Sequence, residues 1–397
     1  MSESLTSLYS LPVELWLHIF RLSTITPLTH RLRATTYHPF QTIPLIAAQD
    51  DAEAVKTKLA LVRVCKTWRA LAIDLLYEDI RMGSPSKLPK LLAGLDGHDL
   101  DFPDRGSWIR RASLPYTSSA TLTPRPLEAV KILEHCPRLE VLVRVGPFRP
   151  DEDLRFEFPT ECPPLPSLKR LDWWHVNDAA RSGGINSVGD VLQAAPNLEY
   201  LSLGGYVKFV HLQRSTINLP VLTTLRILRL NVLFVQQTTQ WSMPSLRCLV
   251  IDTVEDIGIL EPFWDAFGAQ IRTVELGHSL SYYVYDTLSY ILPGCPNLEV
   301  LNYYVHFTAI PSAFSDTFYS LKTVGLHAHP NLLLPPESTE YWRRIQDHIA
   351  MLCRPSFPSL KTVILYGDWD AVIEDIRYPF LIQSLLDRRC IIERASD

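Results

Sequence analysis

The residues of this 397-residue chain best suited to chemistry are two histidines, two aspartates and a cysteine. His327 and His329 stand two apart in GLHAHP, which on a strand puts both on one face. A zinc site needs further ligands, and no third one is evident. Asp368 and Asp370 in GDWD suit a loop after a strand, where aspartate caps its own backbone. Cys65 lies on the apolar face of a helical run, where a reactive thiolate is disfavoured. Gly183-Gly184 and Gly204-Gly205 are turn glycines. The patterns G-x-x-x-x-G-K-[ST], G-x-S-x-G and H-E-x-x-H do not occur. No catalytic residue, no metal and no cofactor is expected, and the chain reads as a non-enzyme.

Composition narrows the classes further. A composition of 47% hydrophobic and 20% charged residues is ordinary for a folded soluble protein. A net charge of -5 implies no general polyanion-binding surface, so nucleic acid is not an expected partner. Seven cysteines, with no C-x-x-C pair, argue against a disulfide framework and for a reducing compartment, cytoplasmic and/or nuclear. The first ten residues lack a basic start and an apolar run, and no apolar stretch reaches a membrane-spanning length. Neither a secretory leader nor a membrane is expected.

The first eighty residues carry two helical patterns. Leu11–Ser23 places Pro12 and Glu14 in its first turn, where both suit a helix start. Leu11, Leu15, Ile19 and Leu22 form one apolar line, with Trp16 and Phe20 beside it. A polar stretch with Pro27, Pro39 and Pro44 then reads as a loop, with a helical end near Asp50–Lys58. A second run, Lys58–Ile80, sets Leu61, Val64, Cys65, Trp68, Ala72, Leu75 and Leu76 at three-and-four spacing. Most amphipathic helices are simply packed, but so few short helices have too little mass to bury all these apolar residues. The remainder would mark a binding surface.

The segments LPVELWLHIF and LVRVCKTWRALAIDLLYEDIRM resemble the two halves of an F-box, the small helical module that binds the adaptor of SCF-type ubiquitin ligases. The resemblance covers Leu11–Met82. It implies adaptor contacts through Leu11, Pro12, Leu15, Ile19, Phe20, Val64, Cys65 and Trp68, and through the adaptor a cullin. The chain departs from the family in length, with an excess at about residues 24–57. A long loop is tolerable because closure entropy grows slowly with length.

The other three hundred residues repeat a loop residue, often proline, followed by L-x-x-[LV]-x-hydrophobic. The first apolar residues of the copies are Ile109, Leu139, Leu168, Leu198, Leu222, Leu246, Ile271, Leu298, Leu321 and Leu360, spaced 30, 29, 30, 24, 24, 25, 27, 23 and 39 apart. Most spacings lie in or near the range of leucine-rich repeats. The later apolar residues of each copy share one face of a short strand. Helix-like runs lie between copies at 127–136, 188–195, 262–267, 283–292 and 339–353, and a last helix at 371–387 would cap the end. Such units bury their apolar faces only by stacking. The copies resemble the degenerate repeats of fungal F-box proteins, but lack the asparagine or cysteine that usually follows the strand. The turns must satisfy their backbone groups in another way.

The expected fold class is therefore α/β. A short helical F-box over 1–83, with an insertion at about 24–57, precedes an irregular leucine-rich-repeat-like solenoid over 84–397, with parallel strands and outer helices. Residues alternating with the core leucines should face outward as one aromatic-rich strip: Asp172, Trp174, Tyr200, Arg226, Asp252, Glu275, Asn302, Tyr304, His327 and Tyr366. Tyrosine, tryptophan and arginine often dominate interfaces, so the strip is the expected contact for a target protein. The function expected is substrate recognition in a ubiquitin ligase complex leading to ubiquitin-dependent degradation. The alternative is a protein-binding scaffold whose N-terminal helices only cap the solenoid.

Overall fold

The structure is a computed structural model that describes residues 11–24, 34–41, 52–82, 87–96, 104–115, 128–145, 161–176, 187–206, 217–229, 232–253, 257–314, 316–336 and 338–395. It is α/β, and the strands pair in parallel among the described residues.

Three helices open the chain: α1 (Val13–Thr24), α2 (Ala52–Val64) and α3 (Lys66–Tyr77). The run expected as one helix over 58–80 is broken at Cys65, whose extended backbone caps α3 while its Sγ accepts the Trp68 amide at 3.4 Å. Cys65 is therefore an exposed helix cap, not a residue packed on an apolar face. Phe20, Ala72 and Leu75 form the core here, with Trp16, Leu61, Val62, Trp68 and Leu71 against it. The Phe20 and Trp68 rings stand 4.8 Å apart, and Trp16 and Trp68 5.1 Å.

The strands are β1 (Asp79–Arg81), β2 (Arg111–Pro115), β3 (Val141–Val145), β4 (Arg170–Val176), β5 (Tyr200–Tyr206), β6 (Thr224–Arg229), β7 (Cys248–Ile251), β8 (Thr273–Leu276), β9 (Val300–Tyr304), β10 (Thr323–Ala328), β11 (Thr362–Gly367) and β12 (Ile391–Arg394). Each of the strands β2 to β11 begins two residues after one of the repeat leucines or isoleucines read from the sequence. All of those anchors are buried, from Ile109 to Leu360. Register follows the repeat: Thr224 pairs with Cys248, Cys248 with Thr273, Thr273 with Val300, Val300 with Thr323, and Thr323 with Thr362.

At five of the ten anchors the role of the missing post-strand asparagine falls to the residue just before the anchor. Ser167, Asn197, Ser245, Asn297 and Ser320 donate their side chains to the carbonyls of Pro137, Pro166, Pro220, Ala269 and Pro296, one repeat back, at 2.6–2.9 Å. These bonds tie successive turns together and satisfy carbonyls that a short strand leaves open.

Helices lie between strands near the expected places, as at Glu128–Glu134, Val188–Ala194, Glu261–Phe267 and Thr339–Leu352. The run expected over 283–292 is two short helices, Leu280–Val284 and Leu288–Gly294. The expected last helix is likewise split into Asp370–Ile373 and Tyr378–Asp387. The final pairing is made by β12 on β11, an extra strand the sequence pattern did not announce.

Two compact units divide the chain. The first holds residues 1–35 and 41–198, with α1–α3 and β1–β4; the second holds 36–40 and 199–397, with β5–β12. The boundary expected at 83/84 lies inside the first unit, because β1 follows α3 directly and pairs with β2.

Candidate interaction surfaces

In the first unit, the outer line of α1 is left uncovered. Leu11, Leu15 and Ile19 are exposed at 42–47%, and Val64 at 59%. Pro12 and Cys65 are exposed with them. Phe20 departs from the expected contact set: at 1% exposure it is core. Trp68 is only partly exposed, being packed on Phe20 and Trp16. The physical reason is the turn of α1, which aims Phe20 at α3 while Leu15 and Ile19 point away.

The strip residues alternate with the core leucines along their strands, but none of the ten is exposed. Asp172, Tyr200, Arg226, Glu275 and Asn302 are buried, while Trp174, Asp252, Tyr304, His327 and Tyr366 are intermediate. Part of the cause is mutual pairing. In the first unit Arg170 Nε and Nη2 donate to the two oxygens of Asp172 at 2.8 and 3.1 Å, and its Nη1 donates to the Ala34 carbonyl at 2.8 Å. In the second unit Arg226 makes the same bidentate grip on Asp252 at 2.6 and 2.7 Å. Buried charges persist only when paired in this way, so these carboxylates are largely engaged already. Asp79 behaves alike. Burial pushes its carboxyl up, but the guanidiniums of Arg111 and Arg81 hold it at about 2.

The other cause is a short piece of chain. Residues 36–40, from the stretch read as an insertion, belong to the second unit and lie on this face. The Tyr37 hydroxyl donates to Glu275 Oε2 at 2.5 Å, and the Phe40 amide donates to the same oxygen at 2.7 Å. Asn302 Nδ2 donates to the Tyr37 hydroxyl at 2.7 Å. The Phe40 ring sits within 5.0 Å, centroid to centroid, of Tyr304, His327 and Tyr366. Register explains the box: Tyr304 pairs with His327, and His327 with Tyr366, so the three rings stand side by side.

Burial raises the Glu275 carboxyl to about 7, against the pull of the Phe40 amide, the Tyr37 hydroxyl and Arg226. Burial also raises the Tyr37 phenol well above its usual range, and the nearby Glu275 charge adds to that. Tyr37 is therefore a donor to Glu275, not a competing anion.

Sequence reasoning missed Tyr37, Phe40 and Gly325. Gly325 pairs with Asn302, and a Cβ there would stand 2.2 Å from Asn302 Oδ1. The glycine makes room for the amide that holds Tyr37. The only sequence signal was the tyrosine and phenylalanine in an otherwise polar, proline-bearing loop.

Among the described residues, no group of three or more histidine, cysteine or carboxylate side chains is placed to hold a metal ion. The His327 and His329 rings join an aromatic cluster with Tyr304 and His278. Asp368 Oδ1 accepts the Asp370 amide at 3.1 Å, as the turn reading expects. No helix among the described residues is long and apolar enough to cross a membrane.

No family model matches the chain, and no curated protein matches it. Among solved structures it is similar to a structural-genomics target from Bacteroides fragilis, at 13% identity and a TM-score of 0.39, over 87% of this chain and 84% of that one. A likeness that distant carries no weight for fold or function. What the chain itself establishes is an α/β architecture of parallel strands in chain order, built on a repeated leucine anchor.

Proposed function

We propose that this chain is the substrate receptor of an SCF-type ubiquitin ligase. Its N-terminal helices act as an F-box, and its strand units act as irregular leucine-rich repeats that hold a target protein. The observation that supports this best is the uncovered apolar line Leu11, Leu15, Ile19 with Val64 on a helical module whose own core is complete without them. Apolar side chains left outside a finished core are what a docking helix needs. Leu11, Pro12, Leu15, Ile19, Val64 and Cys65 would touch the adaptor, and a cullin would follow through it. Phe20 and Trp68 would support that surface from beneath. The chain would perform no bond chemistry. By holding a target near a charged conjugating enzyme, it would raise the effective concentration of target lysines. Cytoplasm and/or nucleus suits such work.

The test is affinity purification from cells with neddylation blocked. Wild type should carry the adaptor and cullin. Leu15→Asp with Ile19→Asp should lose both while keeping its thermal stability. Undiminished recovery of the adaptor with that variant would overturn the proposal.

A second reading, a scaffold outside any ligase, draws on one specific contact. Helix α3 runs into β1, which pairs with β2, and Tyr77 stacks edge-on against Trp108 at 6.1 Å. The helices thus also close the first strand of the ladder. Loss of solubility on deleting them, with no adaptor recovered from wild type, would favour the scaffold.

A further inference from the structure

The second unit holds a piece of its own chain much as a receptor holds a peptide. Thr36–Phe40 has no helix or strand, and it is joined to the unit's strands only through residues 41–199 of the chain. Its contacts are those of a ligand. One phenol and one backbone amide converge on a single carboxylate oxygen. One amide side chain donates to the phenol. One aromatic ring enters a box of three. Phe40 adopts a left-handed backbone with φ 55°, a conformation rarely held without strong surrounding contacts.

We propose that the face formed by Glu275, Asn302, Tyr304, His327 and Tyr366 recognises a Tyr-x-x-Phe turn, that Tyr37–Phe40 occupies it in cis, and that a target protein presenting the same element displaces this segment. This rests on the reading that the strand face receives a target. The chemistry specifies the partner: a phenol hydroxyl for Glu275 and Asn302, a free amide N–H three residues later, and a ring on that last residue. A tethered occupant competes at an effective concentration of roughly millimolar. The intact chain should therefore answer only to a partner supplied at high concentration or held by other contacts as well.

The test uses the full chain and a fluorescent peptide of residues 34–41, ATTYHPFQ, as probe. Tyr37→Ala with Phe40→Ala opens the face. That variant should bind the peptide at least tenfold more tightly than wild type, and it should bind a peptide lacking both rings at least tenfold more weakly. A folded variant that binds neither peptide, or both equally, overturns the proposal. Should the variant fail to fold, hydrogen exchange on wild type decides. Excess peptide should speed exchange at the Phe40 amide, and unchanged exchange at peptide saturation overturns the displacement. Adaptor binding is read separately through Leu15 and Ile19. A chain that binds adaptor but not peptide therefore defeats only this inference, and one that binds peptide but not adaptor defeats only the ligase assignment.

Discussion

Tyr37 and Glu275 are 238 positions apart and share a 2.5 Å hydrogen bond, in which the tyrosine hydroxyl donates to the buried carboxylate. The same oxygen accepts the Phe40 amide, so a single carboxylate fixes both ends of a turn.

Removing that hydroxyl should be measurable. Tyr37→Phe leaves the ring in place but takes a donor from Glu275 and an acceptor from Asn302. A loss of about 1–3 kcal/mol in urea unfolding is expected, the usual cost of unpaired buried polar groups. Unchanged stability would mean that the segment adds nothing to the folded state.

Glu275 gives a pH signature. The folded chain holds its proton up to about 7, whereas a free glutamate titrates at 4.5. Between those limits the folded state binds more protons, so this group's contribution is present below 4.5 and is lost as pH rises through 7. Glu275→Gln has no such proton. The stability of wild type relative to Glu275→Gln should therefore fall from pH 4.5 to pH 7 in parallel urea titrations; a constant difference would contradict it.

His348 gives the opposite slope. It is fully buried against the Val305 carbonyl at 2.9 Å and the Tyr303 hydroxyl at 3.2 Å, and burial lowers its pKa to about 3. The unfolded chain takes up the proton near 6.5, so stability is present above that pH and is lost as pH falls toward 3. His175 and His306, each lowered to about 4 by burial, act in the same sense. His348→Gln should flatten the decline over that range, read as denaturation midpoint against pH.

The repeat anchors were legible because burial and sequence coincide there: a leucine or isoleucine stands two residues before each of the strands β2 to β11. The face of each strand was legible for the same reason, since alternation is a local property. Exposure was not. Arg226 and Asp252 lie on neighbouring repeats, and nothing local says that they grip each other. Tyr37 and Phe40 carry no periodicity at all, so their place on the second unit's strands could not be read from spacing. Cys65 misled because a residue at helical spacing can equally be the cap where one helix ends and another starts.

The anchors and the turn ladder should differ in weight. Leu246→Ala removes a fully buried side chain and should cost about 2–5 kcal/mol. Ser245→Ala removes one exposed bond to the Pro220 carbonyl and should cost about 1 kcal/mol or less. Urea unfolding of the two variants checks the order; a Ser245 effect equal to that of Leu246 would mean that the ladder, not the core, sets the repeat.

The most direct measurement is calorimetric titration of the purified full chain with the ligase adaptor. Saturable one-to-one binding to wild type is predicted, with a loss of at least a hundredfold in Leu15→Asp/Ile19→Asp and little change in Tyr37→Ala/Phe40→Ala. No binding to wild type, or equal binding to the Leu15 and Ile19 variant, would contradict the account.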